Sequence, residues 1–366
     1  MRAGGIDHRE HLRAFQRRLE EMGLDAALIL DRPSTHWLTG FRGTASTLLV
    51  LRRSAVFITD FRYIESARSR LRGVHVALQR NPLDEQAGSL LRRHRIRRLG
   101  LEGTIAHERW TWARRIARGL SVRDVAPALR EMRAVKTGAE IALIRRAVRL
   151  GDDLFTALLD WLPRRLTRGA LTEREIARWL KGEMEIRGAE GPSFPPIIAA
   201  GPNSALPHAV PGDRRVRRGQ FLLFDFGVVL GGYCSDMTRT IVLGRATARH
   251  RRIYETVLEA QRAAASAIRA GVRARDVDAA AREVIRRAGH AKHFGHGTGH
   301  GVGIEIHEAP RLAQPSMDTL AAGNIVTNEP GIYVPGFGGV RIEDMAVVRE
   351  DGSETLTQSP KTLLEL

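Results

Sequence analysis

Cysteine is almost missing from this chain: Cys234 is the only one in 366 residues. One thiol excludes an intrachain disulfide framework and is compatible with a reducing compartment. No apolar run approaches the roughly 18 residues that signal a membrane span. The opening MRAGGIDHREHLRAF carries no apolar core of the kind a secretory signal needs. These absences lead to the expectation of a cytoplasmic protein without a membrane partner. Lysine is scarce too, supplying only Lys136, Lys181, Lys292 and Lys361 of the 58 basic residues. The net charge of +17 therefore rests on arginines dispersed along the chain, with small clusters at Arg92-Arg93, Arg214 to Arg218 and Arg249 to Arg252. No aromatic interleaving or nucleic-acid motif accompanies them, so they read as chain-wide arginine-for-lysine usage and no nucleic-acid partner is expected.

What is present describes an ordinary globular protein, 43% hydrophobic and 27% charged, long enough for two domains. The first part alternates helix and strand patterns. Residues His8 to Met22 read as an amphipathic helix; Ala26 to Leu30, Thr47 to Leu51, Ala55 to Thr59, Val74 to Leu78 and Arg98 to Leu101 read as strands. Helical patterns cover Phe61 to Leu71 and Asp84 to His94. A boundary near Met132 to Thr137 gives domains 1–133 and 134–366, the first a smaller α/β layer structure, the second α+β. Helices are expected in the second over Gly138 to Leu162, Thr172 to Arg187, Ala248 to Ala270 and Arg275 to Ala288.

Five acidic and imidazole residues of the second part stand in distinctive contexts: Asp225 in LLFDFG, Asp236 in YCSDMTRT, His300 in HGTGHGVG, Glu329 in TNEPGIY and Glu343 in VRIED. Carboxylate oxygen and imidazole nitrogen suit hard or borderline divalent ions. Four carboxylates and one histidine carry too much negative charge for one ion but suit a pair bridged by carboxylates, as in metal-dependent hydrolases. Phe221 to Val229 and Tyr233 to Leu243 read as strands joined at Gly231-Gly232. A turn between Leu230 and Gly231 sets Asp225 opposite Asp236; a turn on Gly231-Gly232 sets it opposite Thr238 with Asp236 diagonal. Both registers bring the carboxylates to one face.

HFGHGTGHGVG holds His296 and His300 in a segment with too many glycines for a helix, so the four-residue spacing is not a helical metal site. Glu329 precedes a Pro-Gly turn, which places it at a strand end. Arg341 and Glu343, two apart in an expected strand, share a face. Arg341 then either orients a metal-bound carboxylate or forms a surface ion pair. Cys234, two before Asp236, lies on the same expected strand face; it reads as a small buried residue beside the site rather than a ligand.

Taken together, FPPIIAAGPNSALPH, LLFDFGVVLGGYCSDMTRT, HGTGHGVGIEIHEAP, TNEPGIY and VRIED resemble, in order and spacing, the pita-bread metallopeptidases: Xaa-Pro aminopeptidase, prolidase (Xaa-Pro dipeptidase) and methionine aminopeptidase. THWLTGFRGTASTLLVL and VFITDFRYIESA resemble the creatinase/prolidase N-terminal domain. The resemblance implies two divalent ions, manganese before cobalt, zinc or iron, on Asp225, Asp236, His300, Glu329 and Glu343, with Asp236 and Glu343 bridging. It implies that His208 contacts substrate, that His307 stabilises the reacting carbonyl, that His296 belongs to the active site and that Glu329 shuttles the proton. His208 and residues near Phe194 are candidates for lining a proline pocket.

The resemblance further implies a proline-containing peptide substrate and a homodimer formed through the N-terminal domain. An N-terminal domain argues against methionine aminopeptidase, and intact ligands argue against creatinase and against non-catalytic peptide binders of this fold. Between the remaining two, WLTGF and FITDFRYIESA favour Xaa-Pro aminopeptidase, with the dipeptidase as alternative. A dipeptidase needs an anchor for the substrate's C-terminal carboxylate. Arg311, just after HEAP, is a candidate, though one more surface arginine is the simpler account.

Overall fold

The computed structural model describes residues 5–80 and 83–366. Packing divides them into two compact units, with the division between Arg133 and Ala134.

The first unit is built on a six-stranded sheet. Its strands are β1 (Ala26–Ile29), β2 (Thr47–Leu51), β3 (Ala55–Thr59), β4 (His75–Leu78), β5 (Arg98–Leu101) and β6 (Ser121–Asp124), in the order β4-β3-β2-β1-β5-β6. The first three pair antiparallel, whereas β4, β5 and β6 join parallel. The helices are α1 (His8–Glu21), α2 (Arg32–Thr39), α3 (Ile64–Arg70), α4 (Leu83–Arg93), α5 (His107–Ile116) and α6 (Ala126–Ala134), the last running into the boundary. Parallel pairing requires a crossover between strands, and α4 and α5 supply those before β5 and β6. Leu28, Leu49, Ile58, Leu99 and Ala113 meet in one core between sheet and helices. The strand expectations hold to within a residue. Three helices, α2, α5 and α6, and the largely exposed strand β6 went unread.

The second unit sets two helix pairs against strands. Helices α7 (Gly138–Leu166) and α8 (Glu173–Ile186) cover one core; α9 (Ala248–Ala267) and α10 (Ala274–Arg287) cover the other. Reciprocal capping boxes start α7 at Thr137-Glu140 and α8 at Thr172-Glu175. Helix α7 passes the expected stop at Leu162 because the turn after Pro163 still closes, Thr167 N–H reaching the Pro163 carbonyl at 3.3 Å. Among the described residues no helix is long and apolar enough to cross a membrane.

The strands are β7 (Gly191–Pro192), β8 (Ile197–Ala200), β9 (Gln220–Phe226), β10 (Val228–Leu230), β11 (Tyr233–Cys234), β12 (Met237–Leu243), β13 (Gly299–Gly301), β14 (Glu308–Leu312), β15 (Ile325–Asn328), β16 (Gly331–Val334), β17 (Gly338–Arg341), β18 (Asp344–Arg349) and β19 (Gly352–Thr355). They form sheets β11-β10-β7, β12-β9-β8, β14-β13-β15-β18-β19 and β16-β17. Along β9, Leu222, Phe224 and Phe226 pack beneath α7 and α8, which turns Asp225 to the opposite face.

Two sequence expectations need correction. The hairpin is centred on Gly231-Gly232, with Asp225 opposite Thr238, but neither arm is one strand. The arms break at Gly227 and at Ser235-Asp236, where the chain passes from one sheet to another. A Cβ on Gly227 would lie 1.7 Å from the Ser235 carbonyl oxygen, so only glycine permits this approach. Cys234 therefore does not share a strand with Asp236. Likewise β17 ends at Arg341 and β18 begins at Asp344 in a different sheet, so Arg341 and Glu343 are not neighbours on one strand face. The hydrophobic pattern runs unbroken through both changes of sheet, which is why period-2 reading missed them.

Arg239, 1% exposed, ties this region together. It donates to the Asp344 carboxylate at 2.8 Å and to the carbonyls of Thr238, Glu343, Ser359 and Pro360. Lys361 also pairs with the Asp344 carboxylate, at 2.5 Å, so losing Arg239 strips that charge of one of two cations and four carbonyls of their donor, a cost of about 3 kcal/mol, the lower end for a broken buried pair. Arg239→Met is therefore expected to lower unfolding stability by about that amount, read as a shifted urea midpoint; an unchanged midpoint would contradict this role.

Candidate metal centre

Asp225 lies in β9, Asp236 immediately before β12, His300 in β13, Glu329 immediately after β15 and Glu343 between β17 and β18. Strand ends from separate sheets thus deliver the five groups to one buried place. Ligand atoms of Asp236, His300 and Glu343 all lie within 4.8 Å of one another. His300 Nε2 is 3.6 Å from Asp236 Oδ2 and 3.3 Å from Glu329 Oε1. Asp225 is linked to the group through Arg341, which donates from Nη2 to its Oδ2.

The backbone is fitted to hold these side chains. Glu329 N–H donates to the Thr298 carbonyl at 2.8 Å, and Glu343 N–H to the Thr238 carbonyl at 3.1 Å. A Cβ on Gly299 would lie 2.1 Å from the Thr327 carbonyl oxygen, so glycine beside His300 lets the two strands close. His300 Nδ1 faces the Gly301 carbonyl at 3.0 Å and must carry the proton there. Nε2 is then the nitrogen aimed at the carboxylates, the one a neutral imidazole offers to a cation.

Around the acids runs a directed hydrogen-bond chain. Arg341, 3% exposed, donates from Nε to Thr238 Oγ1 at 3.0 Å, and that hydroxyl donates to Glu343 Oε2 at 2.6 Å. Arg341 Nη1 donates to Tyr333 Oη at 2.8 Å and to the Pro207 carbonyl at 3.4 Å, next to His208. His296 Nδ1 faces the Gly297 carbonyl at 2.8 Å, so its Nε2 accepts from Tyr333 Oη at 2.7 Å. Of the two sequence readings of Arg341, the surface ion pair is thus wrong. Thr238 and Tyr333 went unnoticed in the sequence. Thr238 was visible as the partner of Asp225 in one register, but nothing local marked Tyr333.

Electrostatics separate the carboxyls into two kinds. Burial, then the charges of Glu343, Asp225 and Glu329, push Asp236 well above the usual carboxylate range. Burial, then Glu329 and Asp225, does the same to Glu343. Burial also raises Asp225, against the pull of Arg341. At Glu329 burial opposes ionisation, but His300, His296 and Arg341 outweigh it and hold the carboxyl at about 2. His300 is raised in return, its burial overcome by Glu329.

Asp225 Oδ1, Asp236 Oδ1 and Glu343 Oε1 are buried and have no hydrogen-bond partner among the described residues. A buried acceptor without a donor is costly, and three in one cluster of four carboxylates fit divalent cations as the missing partners. The donor set of oxygens and one imidazole nitrogen suits such ions without selecting among them.

His307 is exposed, with its ring edge-on to His300 at 4.4 Å between centroids. Partial burial, then the charge of His300, lowers its pKa against the opposing pull of Glu329; His208 and Arg311 add to the lowering. His208 is exposed in the turn after Leu206, and Phe194 is half-buried just ahead of β8. His296 is engaged by Tyr333 rather than open to the carboxylates. Cys234 is buried, its thiol 3.6 Å from the Ile304 carbonyl and pushed up to about 12 by burial. It does not join the ligand group.

Residues 142–350 match metallopeptidase family M24, and residues 11–135 match the Creatinase/Prolidase N-terminal domain. The chain is 40% identical over 266 residues to an Xaa-Pro dipeptidase of Pyrococcus furiosus, covering 73% of this chain and 75% of that one. The solved structure of an Xaa-Pro dipeptidase from Bacillus anthracis superposes with a TM-score of 0.92 at 36% identity, covering 98% of this chain and all of the other. An X-Pro aminopeptidase from Thermotoga maritima gives a TM-score of 0.88 at 32% identity, over 95% of this chain and all of that one.

Carboxyls raised by burial hold protons in the folded, metal-free protein at pH values where the unfolded chain has lost them. The metal-free fold therefore loses stability as pH rises from the ordinary carboxylate range toward the raised values. A cation must displace those protons, so its affinity rises with pH. Calorimetric titration of manganese into metal-free protein is expected to show proton release, read by comparing buffers of different ionisation enthalpy. Asp236→Ala is expected to abolish the binding while the circular dichroism spectrum stays unchanged. Undiminished manganese binding by that variant would remove Asp236 from the site.

Proposed function

The chain belongs to metallopeptidase family M24, and from that premise we propose that it is an Xaa-Pro dipeptidase, cleaving the bond between a first residue and a C-terminal proline. The aminopeptidase expected from WLTGF and FITDFRYIESA gives way to this reading. Those blocks lie in the N-terminal unit, whereas every residue of the acidic cluster lies in the second.

Arg311 carries the proposal. The β13–β14 register sets it directly opposite His300, so both side chains leave the same sheet face. It is exposed, and no carboxylate among the described residues forms an ion pair with its guanidinium. Asp318 accepts from its backbone N–H at 2.9 Å. An unpaired arginine beside a peptidase site offers a fork matched to a carboxylate. A dipeptide places its C-terminal carboxylate one residue beyond the scissile bond, whereas a longer peptide has an amide there. The names of the Pyrococcus furiosus and Bacillus anthracis relatives point the same way.

Asp225, Asp236, His300, Glu329 and Glu343 would hold two divalent cations. Bound cations supply Lewis acidity, which polarises a carbonyl and lowers the pKa of water. Glu329, ionised because His300, His296 and Arg341 hold it low, takes the proton from the attacking water. It returns that proton to the departing proline nitrogen, a tertiary amide nitrogen with no hydrogen of its own. His307, its pKa lowered and its ring beside His300, donates a hydrogen bond to the carbonyl oxygen as negative charge develops there. Arg341 keeps Asp225 and, through Thr238, Glu343 in orientation. His208 lines the proline side of the pocket.

Loss of a charge-paired hydrogen bond costs about 2 kcal/mol or more, roughly thirtyfold in kcat/KM. Arg311→Met is expected to lose that factor on an Xaa-Pro dipeptide, mainly in KM, and little on an Xaa-Pro-Yaa tripeptide. The parent is expected to prefer the dipeptide under added manganese. Preference for the tripeptide, with Arg311→Met indifferent to length, would return the protein to the aminopeptidases.

A further inference from the structure

Helix α10 lies outside the ligand set, yet it carries a fully buried carboxylate aimed at the loop that presents both site histidines. Asp278 is 0% exposed. Its Oδ1 accepts from Thr298 N–H at 2.9 Å and from Thr298 Oγ1 at 2.8 Å. Arg282, one helical turn on, donates to Asp278 from Nε at 2.6 Å and from Nη2 at 3.2 Å. The same guanidinium donates to the Phe294 carbonyl at 3.0 Å and to the His296 carbonyl, and sits 4.3 Å from the Phe294 ring centroid.

Thr298 stands between His296 and His300, and its own carbonyl receives the Glu329 N–H at 2.8 Å. Thr327 extends the link: its hydroxyl accepts from His300 N–H at 3.0 Å and donates to Glu329 Oε1 at 3.1 Å. One acid–arginine pair thus fixes the peptide units that set His296, His300 and Glu329. Nothing in helix packing requires a charge at Asp278, and burying one is costly unless it is compensated. Here the compensating donors are the loop itself and the arginine that grips the loop. The loop is glycine-rich and has little intrinsic stiffness, so its geometry must be imposed from outside.

We propose that Asp278 and Arg282 are positioning residues for the metal centre, holding His300 and Glu329 at the geometry that ligates a cation. This rests on the reading of those two groups as ligands, not on the choice of substrate. Arg341 serves Asp225 and Glu343; the α10 pair serves the opposite side of the cluster.

The test is cobalt(II) binding to the metal-free full chain, followed by calorimetry and by the visible absorption of the bound ion, with no substrate present. Supporting groups around metal ligands typically contribute about 10–100-fold in affinity. Asp278→Asn and Thr298→Val are each expected to weaken cobalt binding about tenfold or more and to alter the absorption band. Thr298→Ser, which keeps the hydroxyl, is expected to retain parental affinity. If Asp278→Asn does not fold, the Thr298→Val and Thr298→Ser pair decides alone, since it leaves the buried ion pair intact. Folded variants that bind cobalt within about twofold of the parent, with the same spectrum, would overturn the proposal. A chain that takes up cobalt normally but cleaves no Xaa-Pro dipeptide would instead refute the substrate assignment and leave this test standing.

Discussion

Buried carboxylate oxygens with no partner among the described residues are the constraint on which the second unit is organised. Asp225, Asp236 and Glu343 each bury one such oxygen, and ligand atoms of Asp236, Glu343 and His300 lie within 4.8 Å of one another. Glu329 meets His300 at 3.3 Å, both carried by a sheet other than that of Asp225. Like charges so placed repel strongly when water is excluded, and the raised pKa values of Asp236 and Glu343 express that repulsion as retained protons. Two divalent cations held there would remove both problems together, supplying the missing partners and neutralising the charge. The unusual features of the fold serve this arrangement. The hairpin changes sheets at Gly227 and at Ser235, and a short irregular segment carries Glu343 between β17 and β18.

Buried arginines make the cluster tolerable in the folded chain. Arg341 satisfies one oxygen of Asp225 and, through Thr238, one of Glu343, while Tyr333 passes its influence to His296. Arg239, together with Lys361, neutralises Asp344, and it holds the carbonyls of Thr238 and Glu343. Each presents a planar array of donors that a lysine cannot match. The arginine richness of the chain therefore has two distinct parts. Most of it lies on the surface, whereas Arg239 and Arg341 are structural cations whose position the site depends upon.

Much of the acidic cluster was legible from sequence because each of its members combines a residue type with a fixed backbone context. Asp225 within an apolar strand, Glu329 before Pro-Gly and His300 among glycines all announce themselves locally. The breaks in the strands did not, because a strand crossing from one sheet to the next keeps its apolar alternation. Tyr333 and Asp278 were unreadable for a related reason. Each acts on a residue far away in sequence: Tyr333 reaches His296 across 37 positions, and Asp278 reaches Thr298 across 20. Arg311 was visible but anonymous among many arginines, until the β13–β14 register set it opposite His300.

Anomalous X-ray scattering from crystals equilibrated with manganese tests the central claim most directly. The account predicts two peaks about 3.5–4 Å apart, both bounded by Asp236 and Glu343, with Asp225 on one side and His300 and Glu329 on the other. A map with no anomalous density among these five side chains, in protein that is folded and saturated with manganese, would contradict it.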